Sequence, residues 1–237
     1  MEGIVNVLTG VAEAFRLLFS ADSEIFEIAI LSLKVSGAAT IISIVTGIPL
    51  GFFLAMSNFP GKNLLVSLVN LGMSLPPVVV GLFVSLLLWR SGPLGMLGLM
   101  YTPTAMVIAQ VIIAFPLVVG LTFSTIGSLN PKLPLQLLSL GASRWQVNFI
   151  LLKEAKMGFL AAVMVGFGRV VAEVGASMMV GGNIKGHTRV LTTATVMEVG
   201  KGNFEIAIAL SIVLLLIAYA MIAGLTYFQN LKNRGQP

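Results

Sequence analysis

Residues 64–89, LLVSLVNLGMSLPPVVVGLFVSLLLW, contain no charged side chain. A helix needs roughly 20 predominantly apolar residues to cross the hydrocarbon of a bilayer, so this run is long enough to do so. Four other runs have a similar apolar character, and they cover residues 25–56, 103–123, 157–182 and 204–228. All five are too long and too continuous for the strands of a membrane β-barrel. The sequence therefore predicts an all-α membrane protein of one domain, residues 1–237, with about five transmembrane helices.

The composition agrees with a lipid-facing surface. Hydrophobic residues make up 57% of the chain and charged residues only 10%, whereas a soluble domain carries about 25% charged residues. The formal net charge is +5, but the basic residues are scattered between the apolar runs. Because they form no stripe that could follow a nucleic-acid backbone, we do not expect nucleic-acid binding.

The chain begins with a segment of a different kind, residues 1–20. Ile4, Leu8, Val11 and Phe15 recur there at helical spacing, which is typical of an amphipathic helix lying in the membrane interface. A short sixth span is the alternative. The distribution of Lys and Arg predicts an amino terminus outside the cell and a carboxyl terminus inside. Residues 124–156 are then the longest cytoplasmic connection, and residues 183–203 form the large outside connection.

The cytoplasmic connection keeps helical apolar spacing between its polar residues. Such a segment suits a short helix that docks on a partner at the membrane face. Gly141 allows a sharp turn after that helix, and Arg144 and Trp145 then offer a charge and a flat anchor at the membrane surface. An ordinary basic interfacial loop is the alternative interpretation.

The second apolar run contains the pair Pro76 and Pro77. Proline removes a helical hydrogen bond and kinks the chain, and in lipid the freed backbone groups need a protein neighbour or a water-filled path. The pair therefore indicates a bundle interior or a pore, with a plain packing kink as the alternative. The glycines of the fourth run allow close helix approach and also leave room for a narrow path. The pore candidates are Ser74, Pro76, Pro77, Val78, Gly81 and Ser177.

The fourth apolar run carries two opposite charges, Arg169 and Glu173. Their i, i+4 spacing places them on one face of a continuous helix, where they can form an ion pair. Ionisable residues inside a membrane are functional candidates. A structural pair that braces the assembly is the alternative.

The chain lacks the motifs of an enzyme. It contains no Gly-x-x-x-x-Gly-Lys-Ser/Thr loop that would hold ATP phosphates, and no nucleophile and base are arranged for covalent catalysis. His187 is the one histidine and has no cysteine near it, so we expect a solvated loop residue and no metal site. Secondary transporters are often built from two inverted halves that show as an internal repeat. The sequence contains no such repeat, which weakens that interpretation.

The motifs, in their order along the chain, resemble those of the molybdate and tungstate permeases of ABC importers. The matching segments are FPGK at residues 59–62, LPPVVVG at 75–81, LGASRW at 140–145 and RVVAEVGA at 169–176. Two more segments, MMVGGNI at residues 178–184 and TRVLTT at 188–193, look most like the tungstate-type branch. The resemblance extends over residues 24–228.

The resemblance implies a type I ABC importer permease in the cell (inner) membrane, working as a homodimer. It implies partners of two kinds, cytoplasmic ATPase subunits that bind ATP and Mg²⁺ and an extracytoplasmic oxyanion-binding protein, with no cofactor on this chain. Tungstate is the expected substrate, and molybdate or sulfate is the alternative within the family. A secondary anion transporter or a channel is the alternative from another class. The residues implied to contact the ATPase are Leu137, Leu138, Leu140, Gly141, Ala142, Ser143, Arg144 and Trp145.

Overall fold

The computed structural model describes residues 23–233, which fold into helices and turns without a strand in that part of the chain. The amphipathic segment predicted for residues 1–20 lies outside the described residues. The helices are α1 (Ser23–Met56), α2 (Lys62–Ser74), α3 (Pro77–Leu88), α4 (Pro103–Gly127), α5 (Leu133–Ser139), α6 (Arg144–Glu154), α7 (Lys156–Val171), α8 (Gly175–Gly181), α9 (Leu191–Gly200) and α10 (Phe204–Asn233).

Three helices, α1, α4 and α10, are each long and apolar enough to cross a membrane on their own. The other two apolar runs fold as bent pairs, α2 with α3 and α7 with α8. Counting each bent pair as one span gives five spans within the described residues. The prediction of an all-helical membrane protein with about five spans is therefore confirmed, and the second run is kinked at the proline pair as expected. The continuous helix assumed for Arg169 and Glu173 in the fourth run is not present, because that run is also bent.

The bend between α2 and α3 is 102°, and its cause is local. Leu75 and Pro76 both have extended backbone conformations, and Pro77 occupies the first turn of α3. A proline lacks the N–H that would continue α2, and it restricts the residue before it to extended conformations. A proline also fits well in the first turn of a helix, as Pro77 does in α3, because the first N–H groups of a helix have no hydrogen-bond partner within it. The proline pair therefore ends one helix and starts another.

The bend between α7 and α8 is 57° and contains no proline. Helix α7 ends at Val171, and α8 begins at Gly175. The carboxylate of Glu173 accepts a hydrogen bond of 2.9 Å from the Ala176 N–H. This contact satisfies one of the N–H groups that the start of a new helix leaves without a partner.

The centre of the bundle is the contact between α1 and α4. The buried face of α1 includes Ser43, Gly47 and Gly51, which are spaced four residues apart. A Cβ atom added to Gly51 would lie 2.6 Å from the Val119 carbonyl oxygen, so only glycine allows this approach. Small residues at such spacing are how helices pack closely in lipid, where hydrophobic burial between helices contributes little.

A second, smaller core joins the first turns of α1 to α9 and α10. It contains Ile28, Leu191, Leu210 and Val213, all buried. Helix α9 belongs to the large connection between the fourth and fifth spans, for which the sequence predicted a loop. The connection is thus a folded structure that holds the amino-terminal end of α1 against α10.

Candidate functional site

The turn between α5 and α6 is built around Gly141. This glycine has a φ of +86°, a conformation that side chains disfavour. Its N–H donates to the Leu138 carbonyl and that of Ala142 donates to the Leu137 carbonyl, both at 3.0 Å. Left-handed glycine with bonds back to the last carbonyls is a common way to end a helix. The turn predicted at Gly141 is confirmed.

Ser143 fixes the start of α6. Its hydroxyl accepts from the Gln146 N–H at 3.4 Å, and its own N–H donates to the Gln146 side-chain oxygen at 2.7 Å. This reciprocal arrangement is a capping box, which stabilises a helix start. With the glycine on one side and the cap on the other, the angle between α5 and α6 is set by local contacts.

Large apolar side chains project from this helix pair. Leu140 is 84% exposed, Trp145 79% and Phe149 62%, and these three residues define what we call the turn surface. They border a groove of about 670 Å³ that also includes Gln146 and Ile150. A contiguous exposed apolar surface marks a place where a protein or a membrane binds.

The predicted coupling residues fall on or next to the turn surface. Leu137 is half-buried, whereas Leu138 and Arg144 are exposed. Sequence reasoning missed Phe149, although it lies four residues after Trp145. Because residues four apart share one helix face, that spacing could have identified it.

The two bends meet inside the membrane region. A Cβ atom added to Gly81 would lie 2.7 Å from the Ala176 Cα, and one added to Gly175 would lie 2.8 Å from Val78 Cγ2. Helices α3 and α8 are therefore packed at the closest distance that glycine permits. Beside them, Gln110 of α4 donates to the Ser177 hydroxyl at 3.2 Å.

The pore candidates divide into two groups. Ser74 and Pro76 are exposed at the bend, and Val78 is 56% exposed. Gly81 and Ser177 are buried, Ser177 to 1% exposure. In this conformation both residues lie in the contact between α3 and α8, and their place on the transport path stays a prediction. Other glycines of the fourth span behave alike, since Gly181 packs on Met106 and Gly166 on Val118.

The expected ion pair between Arg169 and Glu173 is not formed among the described residues. The i, i+4 geometry requires one continuous helix, and α7 ends at Val171 between the two. Arg169 is exposed, whereas Glu173 is buried and directed to the start of α8. The carboxylate therefore caps a half-helix.

Replacing Glu173 tests this capping role. Glu173→Ala should lower the stability of the purified protein by about 1 kcal/mol, the usual cost of losing such an acceptor. Glu173→Gln keeps an oxygen acceptor and should cost less. A thermal melt of both variants, alone and combined with Arg169→Gln, measures the effect. A coupling energy between positions 169 and 173 that clearly differs from zero would support the ion pair and contradict the capping role of Glu173.

Charged groups cluster at the other end of the bundle, around the connection that follows α8. Lys185 lies 2.6 Å from a Glu24 oxygen on α1. Lys201 lies 2.8 Å from a Glu198 oxygen, and Asn203 donates to the other Glu198 oxygen at 2.7 Å. These hydrogen bonds from Lys201 and Asn203 hold the pKa of Glu198 below the ordinary value of a glutamate.

The lowered pKa of Glu198 predicts a pH dependence of stability. A carboxyl group with a lower pKa in the folded state contributes stability that is complete above its unfolded pKa, about 4.3. The contribution is lost as the pH falls through the folded pKa. The melting temperature of Glu198→Gln should therefore lie below that of the native chain at neutral pH, and the gap should narrow below about pH 4. Glu154→Gln, which removes an exposed carboxylate on α6, is the control. A difference in melting temperature between Glu198→Gln and the native chain that does not change with pH would contradict the lowered pKa of Glu198.

The arrangement defines a class of protein. It is an all-helical membrane bundle with two bent spans and an exposed apolar turn surface at one end. The chain belongs to the family of binding-protein-dependent transport system inner membrane components, whose sequence profile matches residues 47–232. It is a multi-pass protein of the inner membrane and a permease component of an ABC importer. In this family such a component works with an ATPase and a substrate-binding protein.

The chain is similar to known permeases over most of its length. It is 45% identical to the tungstate uptake system permease protein TupB of Peptoclostridium acidaminophilum, over 93% of this chain and 98% of the relative. It is 33% identical to the molybdenum transport system permease protein ModB of Escherichia coli K12, over 80% of this chain and 90% of the relative. The tungstate branch predicted from the motifs is thus the more similar of the two.

The fold is shared with solved importers. The chain superposes on the crystal structure of a bacterial ABC transporter involved in the import of the acidic polysaccharide alginate, with a TM-score of 0.77 and 17% identity. The match covers 100% of this chain and 90% of the solved one. At this level of identity the comparison shows the fold, and it confirms the predicted type I importer architecture.

Proposed function

We propose that this chain is the permease subunit of an ATP-driven importer that moves tungstate into the cytoplasm. One observation carries the proposal, namely the 45% identity to a tungstate uptake permease over 93% of the chain. A relation of that extent includes both the membrane helices and the turn surface. The ATPase activity belongs to a separate subunit, which binds ATP and Mg²⁺.

The assembly contains two copies of this chain related by a twofold axis. Each turn surface faces one ATPase subunit, and an oxyanion-binding protein docks on the opposite side of the membrane. Trp145 and Phe149 supply the kind of large aromatic anchors that carry most of the energy of a protein interface. The exposure of both side chains supports this role.

We infer a route from ATP to the membrane path that the helix connections support. When ATP closes the ATPase pair, the two turn surfaces move with it. Helix α6 passes into α7 through the single residue Ala155, so a displacement of α6 enters the membrane along α7. Helix α7 leads through the bend at Glu173 to α8, which is packed on α3. The two bends thus receive the motion that switches the path between its outward-open and inward-open forms.

Reconstitution tests the proposal. Proteoliposomes that contain this chain with its ATPase and binding protein should accumulate tungstate only when ATP is present, as measured by elemental mass spectrometry of the vesicles. Omission of ATP and omission of the binding protein are the controls. Flux without ATP would indicate a channel, and uptake driven by a proton gradient alone would indicate a secondary transporter. Either result would overturn the proposal.

The substrate is tested in the same vesicles by competition. Tungstate and molybdate are both tetrahedral dianions of nearly equal size, so the permease helices have little basis for distinguishing them. The choice should rest with the binding protein, since a conducting path requires weak sites. Binding calorimetry on the binding protein should show tighter binding of tungstate than of molybdate or sulfate. The reverse order would replace tungstate by molybdate in the proposal.

A further inference from the structure

The outer end of α1 lies beyond the hydrocarbon. Residues 35–56 carry no charge and span about 33 Å as a helix, which matches the thickness of the bilayer core. The charged residues of α1, Glu24, Glu27 and Lys34, all precede this stretch. The turns that carry them therefore project on the side where the connection after α8 lies.

A cleft of about 660 Å³ separates these turns from that connection. One wall is α1, with Glu24, Glu27 and Lys34, and the other contains Lys185, His187 and Arg189. The lining therefore has one more formal positive charge than negative with His187 neutral, and two more when His187 is protonated. We call it the outer cleft.

The cations of the outer cleft do not have all of their donor groups paired with acceptors of the protein within the described residues. Glu24 forms ion pairs with Lys185 at 2.6 Å and with the Arg189 guanidinium at 3.6 Å, and the second distance is longer than a hydrogen bond. The Arg189 Nε atom is buried and has no hydrogen-bond partner. Lys34 is exposed and has no ion pair within the described residues.

A buried donor without an acceptor is costly, so an arginine left in that state is suited to an incoming acceptor. Guanidinium groups match the oxygens of tetrahedral oxyanions better than ammonium groups do, because their donors form a planar fork. Lys34 adds a positive charge to the same cleft, at the last charged position of α1 before its charge-free stretch. Glu24 and Glu27 oppose anion binding and keep the site weak.

We propose, resting on the proposed function, that the outer cleft is where the permease first accepts the tetrahedral oxyanion, with Arg189, Lys34 and Lys185 donating to it. The Glu24 carboxylate holds Lys185 in the empty state, and the arriving dianion exchanges with it. A weak site of this kind suits transport, because the anion must leave it again.

Binding of sodium tungstate to the permease–ATPase complex, without the binding protein, tests the outer cleft. The complex is placed in nanodiscs of zwitterionic lipid, and bound tungsten is measured after equilibrium dialysis. Lys34→Gln should weaken binding by about fivefold, and Glu24→Gln should strengthen it by about threefold, the range that single charges exert at partly exposed sites. Arg90→Gln is the matched control, since Arg90 is an exposed cation in the connection between α3 and α4 and does not line the outer cleft. Opposite effects at Lys34 and Glu24 are not a result that general unfolding would give, and melting temperatures check the fold.

Two outcomes would overturn the inference. One is tungstate binding that is the same in the native complex and in Lys34→Gln, or absent from both. The other is Lys34-dependent retention of phosphatidylglycerol, with no Lys34-dependent tungstate binding in zwitterionic discs, which would make the outer cleft a site for lipid phosphate. ATP-driven uptake is measured on the same preparations. Normal uptake beside either outcome leaves the proposed function standing, whereas absent uptake in the native complex removes the proposed function itself.

Discussion

Gly141→Val should abolish most of the ATPase stimulation by this permease while its membrane helices stay folded. The φ of +86° at Gly141 is a conformation in which a β-branched residue is a genuine outlier, with a cost of roughly 1–2 kcal/mol or more. No neighbouring atom lies within 4 Å of an added Cβ, so the strain is confined to the backbone of the turn. The turn opens to relieve it, and Leu140 and Trp145 then lose their relative positions. We expect about a tenfold loss of stimulated hydrolysis, since about 1.4 kcal/mol corresponds to a factor of ten.

Gly127→Val is the matched control for this experiment. Gly127 also has nothing within 4 Å of an added Cβ, but it has no positive φ. It is the last residue of α4, so the substitution adds the same side chain without the same strain. Co-purification with the ATPase and hydrolysis rates should be near normal for Gly127→Val. Normal coupling in Gly141→Val would show that the turn surface is not where the ATPase binds.

Gly81→Ala should destabilise the bundle and impair transport, although alanine is the better helix former. An added Cβ would meet the Ala176 backbone at 2.7 Å, and a backbone atom cannot rotate away. Overpacking of this kind costs roughly 1–3 kcal/mol. The melting temperature in detergent should therefore fall by about 5 °C, a shift that matches such an energy in a chain of this size.

Gly168→Ala separates packing from helix propensity. Gly168 lies within α7 and has nothing within 4 Å of an added Cβ, so the substitution should be neutral or stabilising by up to about 1 kcal/mol. Each of the two variants adds one methyl group to a glycine within a membrane helix, α3 for Gly81 and α7 for Gly168. If Gly81→Ala is as stable as Gly168→Ala, helices α3 and α8 are further apart than the structure indicates.

Hydrophobic length was enough to place the three straight spans. The runs at residues 25–56, 103–123 and 204–228 became α1, α4 and α10 with shifts of only a few residues, because lipid leaves a continuous helix as the way to satisfy every backbone group. The proline pair showed where the second run breaks. The prolines fix where the helix breaks, but the pattern alone does not give the size of the turn, which is 102°.

The bend at Glu173 was missed for a related reason. An acid in an apolar run indicated an ion pair with Arg169, because both residues were assumed to lie on one helix. The carboxylate instead takes the Ala176 N–H, and α8 owes its position to α3, a helix far away in the sequence. Small residues were ambiguous in the same way, since glycine permits either a close contact or an open space. At Gly81 the neighbour that decides between them is Ala176.

The turn at Gly141 could be predicted because its causes are local. A glycine in the left-handed region and a serine cap require only the residues next to them. The projecting aromatic side chains follow from helical spacing in the same way, since Phe149 lies four residues after Trp145. Phe149 was missed because the motif used to find the turn ended at Trp145.

The unequal lengths of the spans have a consequence for the lipid environment. Helices α1, α4 and α10 contain 34, 25 and 30 residues, which is more than the hydrocarbon core of about 30 Å requires. Helices α3 and α8, with 12 and 7 residues, are each too short to cross it alone. A change in bilayer thickness therefore acts on the three long helices, which respond by tilting. Their tilt alters the angle at which they hold the two half-helices, so the transport rate should depend on the acyl-chain length of the surrounding lipid.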